Sequence, residues 1–199
     1  MAYDIRPDDA LVVVDVQHDF LPGGALAVAQ GERIFAPIDA LAPRFARVYA
    51  TRDWHPPDHS SFAEQGEDGP WPVHCVANTH GAAFDPRLNL AQVDAVIDKG
   101  TERTTDGYSG FAATTLAADL RAHGVRRVFV CGLATDYCVK ATALDARAAG
   151  FEAVVLEDAA APVEVAPGDE ARALDELRAH GVGVARSDEL AGAARPVRR

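Results

Sequence analysis

The chain has 199 residues, 48% of them hydrophobic and 25% charged, and a net charge of −11 at pH 7. A chain this long buries an adequate core without disulfide or metal staples, and an acidic chain with no visible basic face does not neutralise phosphates, which excludes nucleic acid as its partner. The start "MAYDIRPDDALVVVDV" does not read as a signal peptide, and no run approaches the roughly 18 apolar residues of a membrane span, so no membrane role is expected.

Strands are predicted at 10–16 (ALVVVDV), 47–53 (RVYATRD), 94–99 (DAVIDK), 126–132 (RRVFVCG), 151–157 (FEAVVLE) and 182–186 (VGVAR). Several are almost continuously apolar, as strands covered on both faces of a parallel sheet must be. Helical stretches alternate with them at 31–46, 110–123, 136–149 and 169–180. Three helix-to-strand junctions share one grammar: Gly124, Gly150 or Gly181 follows the helix, where a left-handed cap residue is wanted. His123 and His180 fall in last turns, where a basic group suits the helix dipole, and are read as capping residues. Successive βα units without a linker predict a single α/β domain over 1–199, doubly wound, with a mainly parallel six-stranded sheet and helices on both faces. The segment from about 54 to 93 interrupts this rhythm, and a stretch of that length inside a compact domain is usually functional.

Ligands of open α/β sheets bind outside the carboxyl ends of the strands. Asp15 closes the first apolar run, Asp53 the second and Lys99 the third, and after the fourth comes "CGLATDYCVKAT", which places Cys138 in the first turn of the next helix. A helix N-terminus lowers a thiol's pKa and offers unpaired N–H groups to an oxyanion. Asp15 as base and Lys99 as cation complete an activated-nucleophile triad without histidine, although each residue alone also fits an ordinary strand end or a buried cysteine. Cys131 lies inside a strand and is expected in the core, and the exposure of Cys75 is left open. An odd number of cysteines with no CxxC pair is no disulfide framework, so a reducing cytoplasm is the expected compartment. "TRDWHPPDHSSF" sets Asp53, His55 and His59 close together, which by itself reads more readily as a polar loop than as a metal site.

Taken together, "VVVDVQHDFLPGGALAV", "TRDWHPPDHSSF", "WPVHCV", "DKGTE", "YSGF" and "GLATDYCVKATALDA" resemble the nicotinamidases within the isochorismatase-like cysteine hydrolases, in the same order through most of the chain. The resemblance implies that Asp15, Lys99 and Cys138 are the catalytic triad. It implies that Asp53, His55, His59 and His74 hold one divalent metal ion. Three imidazoles and a carboxylate suit zinc, iron or manganese, and do not choose among them. It further implies that Phe20, Trp71 and Tyr108 wall the substrate ring, that Leu133 also lies at the substrate, and that the peptide between Leu133 and Ala134 is cis, with the Ala134 and Cys138 N–H groups facing the oxyanion. The implied reaction is deamidation of nicotinamide to nicotinic acid and ammonia in NAD salvage, with pyrazinamide as a second substrate. Two departures stand out: His18 replaces the usual Asn, which adds a titratable group near the site, and the run from Lys99 to Tyr108 varies in length among relatives.

The alternatives are a superfamily hydrolase of another small amide, a carbamoyl compound or an enol ether, a metal-water hydrolase with Cys138 as bystander, and a binding domain without catalysis. A dinucleotide-binding dehydrogenase is disfavoured, because "DVQHDFLPGG" stands where a GxGxxG would follow the first strand. The sequence leaves the oligomeric state open, and a homo-oligomer is compatible with it.

Overall fold

The computed structural model describes residues 3–63 and 69–192, so the basic tail "RPVRR" lies outside the described residues. A short strand β1 (Tyr3–Ile5) precedes the main sheet, which is built from β2 (Asp9–Val14), β3 (Arg47–Asp53), β4 (Ala95–Lys99), β5 (Arg127–Leu133), β6 (Glu152–Ala161) and β7 (Gly183–Ala185). These six strands lie in the order β4-β3-β2-β5-β6-β7, and every pairing is parallel. A last strand β8 (Leu190–Gly192) pairs in parallel with β1 as a separate two-stranded unit that the sequence did not announce. At three residues each, these strands are too short to show a periodicity.

β2 and β5 are buried at every position, because they occupy the middle of the sheet and are covered on both faces. Alternation then divides their side chains. Leu11, Val13, Phe129 and Cys131 pack with Ile38 and Leu41 of the helix α1 (Phe35–Leu41). Val12, Val14, Val128 and Val130 pack on the other face with α2 (Leu116–Ala122), α3 (Lys140–Ala148) and α4 (Asp169–Ala179), through Leu116, Leu120, Ala143 and Leu177. Ile5 of β1 and Leu190 of β8 join the first of these clusters.

Several helices differ from expectation. The stretch 31–46 is a central helix α1 between two 3₁₀ turns, Gly31–Ile34 and Ala42–Arg44. Pro37 sits in the first turn of α1, where its missing N–H breaks no intrahelical bond, and Pro43 lies just past the end. α2 begins at Leu116 and not near 110: the Gly110 N–H is taken by Thr142 Oγ1 and the Gly110 carbonyl by Thr114 Oγ1. α3 is preceded by a wide turn, Thr135–Val139, in which the Val139 N–H reaches the Ala134 carbonyl at 3.0 Å. The helix ends follow the sequence: Gly124, Gly150 and Gly181 have positive φ, and His123 and His180 donate from Nδ1 to the Asp119 and Glu176 carbonyls.

The chain passes from β2 outward to β3 and β4, then returns to place β5 on the other side of β2. That reversal opens a crevice at the carboxyl ends of β2 and β5. Among the described residues no helix is long and apolar enough to cross a membrane.

Candidate active site

Asp15 leaves β2 in a left-handed conformation (φ 51°), with no exposed surface. Its Oδ1 accepts the Thr51 hydroxyl at 2.6 Å, and its Oδ2 lies 2.7 Å from Lys99 Nζ. Lys99 Nζ also donates to Asp53 Oδ1 (2.6 Å) and the Gly107 carbonyl (2.6 Å), and lies 3.5 Å from Cys138 Sγ. Asp15 Oδ2 is thus paired by charge with the ammonium. It shares its surroundings with the Cys138 thiol: Asp15, Asp53 and Cys138 present ligand-type atoms within 4.8 Å of one another. This trio is no cation site, because the Lys99 ammonium already stands among its members.

Burial raises the Asp15 carboxyl to about 6; Lys99 opposes the rise and Asp53 adds to it. Burial also disfavours the charged form of Lys99, but the Asp15 and Asp53 carboxylates outweigh it and hold the ammonium well above its ordinary value. The Cys138 thiol departs from expectation. The residue lies, as expected, in the first turn of the helix that continues as α3, a wide turn, but burial together with Asp15 and Asp53 pushes its thiol well above the usual range despite Lys99. The resting group is a thiol beside a base, not a preformed thiolate.

Asp53 ends β3 and faces both ways. Burial alone would raise it, but Lys99 and His55 hold it well below the ordinary carboxylate range. Its Oδ2 is 3.5 Å from His55 Nε2. His55 Nδ1 lies 2.8 Å from the Gly100 carbonyl and His74 Nδ1 lies 2.8 Å from the Pro72 carbonyl. A carbonyl only accepts, so each Nδ1 carries the proton and each Nε2 keeps its lone pair. His59 Nδ1 pairs with the Ser61 hydroxyl at 2.7 Å, and its Nε2 is buried with no hydrogen-bond partner among the described residues. Asp53, His55 and His74 converge within 4.8 Å, and the His59 ring stacks on His55 with centroids 4.0 Å apart. Burial lowers His74, and burial with the neighbouring His55 brings His59 down to about 4, so both are neutral at pH 7. Burial opposes the charge on His55 too, but its contact with Asp53 raises it. An orphaned buried imidazole nitrogen beside two oriented ones and a carboxylate fits a divalent metal ion.

Above these groups lies a cleft walled by Phe20, Leu26, Trp71, Tyr108, Tyr137 and Val163, with Asp53, His55, His74, Ala134 and Cys138 reaching into it. Trp71 Nε1 donates to the Tyr108 hydroxyl at 2.9 Å and meets Tyr137 edge-on. The peptide between Leu133 and Ala134 is cis. Ala134 lines the cleft, whereas the Leu133 side chain, expected at the substrate, is packed in the core because β5 alternates and turns it away. His18 is not among the lining residues either: it stacks on His80 at 4.0 Å and lies 3.9 Å from Asp85. Cys75 and Cys131 are fully buried. Sequence reasoning missed Gln17, Thr51, Tyr137 and Val163; only the position of Gln17 inside "DVQHDF" carried a signal.

Residues 9–189 match the isochorismatase domain family. The chain is similar to the nicotinamidase of Escherichia coli, 39% identical over 198 residues that cover 88% of this chain and 93% of that one. It is 41% identical to the nicotinamidase/pyrazinamidase of Mycobacterium tuberculosis, over 87% of this chain and 96% of that one. Among solved structures, PnC1 from L. infantum in complex with nicotinate superposes with a TM-score of 0.91 at 40% identity, covering 96% and 99% of the two chains. A pyrazinamidase of Pyrococcus horikoshii in complex with zinc gives 0.80 at 46% identity, covering 90% and 99%.

Proposed function

The chain belongs to the isochorismatase family, and from that premise we propose that it hydrolyses the carboxamide of nicotinamide to nicotinate and ammonia, and that of pyrazinamide by the same chemistry. The observation that carries this reading is the floor of the aromatic cleft, where Asp15, its charge paired with Lys99 at 2.7 Å, presents its carboxylate within 4.8 Å of the Cys138 thiol whose proton it would receive. A base raised to about 6 is suited to proton exchange near neutrality.

As Asp15 takes the thiol proton, Sγ of Cys138 bonds to the amide carbon and the carbonyl electron pair moves onto oxygen. The N–H groups of Ala134 and Cys138 hold that oxyanion. Asp15 returns the proton to the amide nitrogen, the C–N bond breaks, ammonia leaves and a thioester remains. Asp15 then accepts a proton from water as the water oxygen attacks the thioester, nicotinate departs, and the thiol is restored. Lys99 stays charged throughout and keeps both carboxylates in place. Phe20, Trp71, Tyr108 and Tyr137 hold the ring in a partly dry slot. Asp53, His55, His59 and His74 are the residues that would hold a divalent ion, with zinc, iron and manganese all suited to the set. When bound, that ion supplies a Lewis acid for the ring nitrogen.

The test is ammonia release from nicotinamide by the metal-loaded protein, with product identified as nicotinate. Turnover is expected. A folded, metal-loaded protein that releases no ammonia from nicotinamide or pyrazinamide overturns the reading.

A further inference from the structure

Gln17 neither lines the cleft nor offers a reactive group, and it has no exposed surface. Its side-chain amide is nonetheless fully engaged. Oε1 accepts the Asp53 N–H at 2.8 Å, and Nε2 donates to the carbonyls of Asp53 (2.8 Å) and Ala82 (2.9 Å). The reason lies in the sheet. The β2–β3 ladder runs only to Val14 and Thr51, after which the Asp15 N–H bonds the Thr51 carbonyl and the chain turns away. On its other edge, Asp53 still pairs with Lys99 of β4. Past the end of β2, the main chain of Asp53 would face a missing strand, and its N–H and C=O would need partners. The Gln17 amide replaces the missing peptide group and extends the ladder by one step.

Asp53 is where the two halves of the site meet, with Oδ1 on Lys99 and Oδ2 toward His55. Gln17 is two residues past the base Asp15, and its own N–H bonds the Asp15 carbonyl at 2.8 Å. Two residues further, Asp19 Oδ2 accepts the N–H of Cys75, next to His74, at 2.7 Å. The segment is anchored by bonds from the His18 and Asp19 N–H groups to the Ala83 and Gly81 carbonyls. Gly81 must lack a side chain here, since a Cβ would stand 2.1 Å from Asp19 Oδ2. One short turn thus grips the backbone at Asp53 and beside His74.

We propose that Gln17 is a positioning residue that sets the metal ligands in register with the Asp15–Lys99–Cys138 triad, an inference that rests on the metal reading above. The test measures Zn²⁺ affinity by competition with a chromophoric chelator in native protein and in Gln17→Met, with circular dichroism confirming the fold. Gln17→Met is expected to bind Zn²⁺ about 10–100-fold more weakly, as loss of a supporting contact does. At saturating Zn²⁺ its kcat on nicotinamide stays at least about tenfold down, because Asp53 also locates Lys99. A merely structural glutamine would act like Ile38→Val, a core change in α1 expected to lower the melting temperature without altering Zn²⁺ affinity. Should Gln17→Met not fold, Gln17→Glu decides, since it keeps the acceptor for the Asp53 N–H and loses both donors. Native-like Zn²⁺ affinity in a folded Gln17 variant overturns the proposal. Native protein that binds no Zn²⁺ overturns the metal reading beneath it instead.

Discussion

Around Asp15, Lys99 and Cys138 the buried charges pair within the protein, whereas His55, His59 and His74 bring imidazole nitrogens together around Asp53, and one of them, His59 Nε2, has no hydrogen-bond partner among the described residues. In the first region one ammonium lies 2.7 and 2.6 Å from two carboxylates and 2.6 Å from the Gly107 carbonyl. In the second, the Nδ1 atoms of His55 and His74 face backbone carbonyls, and the buried His59 Nε2 has no hydrogen-bond partner among the described residues. A buried charge is tolerated when paired, and a buried acceptor without a donor costs about 1–3 kcal/mol. On the function proposed above, the triad is complete as the chain folds, and the histidine set would be completed by a cation. Asp53 belongs to both, so the two regions are separable in chemistry and joined in structure.

Four measurements break or sharpen this contrast. The largest effect is expected from Cys138→Ala: turnover of nicotinamide falls by at least about 10³-fold, since removing one member of a nucleophile–base unit disables the whole. Substantial residual turnover would transfer the nucleophile's role to a metal-activated water. Next, His59→Ala removes the orphaned imidazole. Zn²⁺ affinity is expected to fall by at least about tenfold, and the rise in melting temperature on adding Zn²⁺ is expected to shrink with the logarithm of that loss; an undiminished rise would take His59 out of the metal set.

The third is the acid limb of the pH profile. Asp15 works as a carboxylate, and its carboxyl is raised from the ordinary 3.8 to about 6. As pH falls through that value the base is protonated, so kcat/KM is expected to drop about tenfold per pH unit on the acid side. A cation bound beside Asp53 favours the carboxylate, which puts the limb of the loaded enzyme at or below about 6. A profile rising toward lower pH would reverse the roles assigned to Asp15 and Cys138. The smallest effect belongs to His18→Asn. Because His18 stacks on His80 outside the cleft, kcat and KM are expected to stay within about twofold, as for surface changes generally. A large shift in KM would return His18 to the substrate's surroundings.

The sequence showed the fold where its signals were long. Six apolar runs and three repeated Gly-capped junctions located the parallel sheet and its helices, with β6 running on to Ala161 and β7 reduced to three residues. It failed where hydrogen bonds made by side chains replace regular structure. Residues 110–115 read as helix, yet Thr114 and Thr142 take the backbone of Gly110. Cys138 was legible in the first turn of a helix, which is the wide turn Thr135–Val139 running into α3, but the burial and the carboxylates that raise its thiol were not.

What the sequence determined by itself was the roster of chemistry: a carboxylate, an ammonium, a thiol and three imidazoles, placed by strand ends and by rare motifs in a fixed order. These are local properties, set by residue type and by periodicity along the chain. Only the tertiary structure decided how those groups are wired. Gln17 meets Asp53 across 36 positions and Ala82 across 65, and Lys99 meets Cys138 across 39. Such contacts depend on where β2 stops short of β3 and how loops cross the sheet edge. Protonation states follow from the same cause, because burial and the nearest charge, and not residue type, set the pKa of Asp15 and of Cys138.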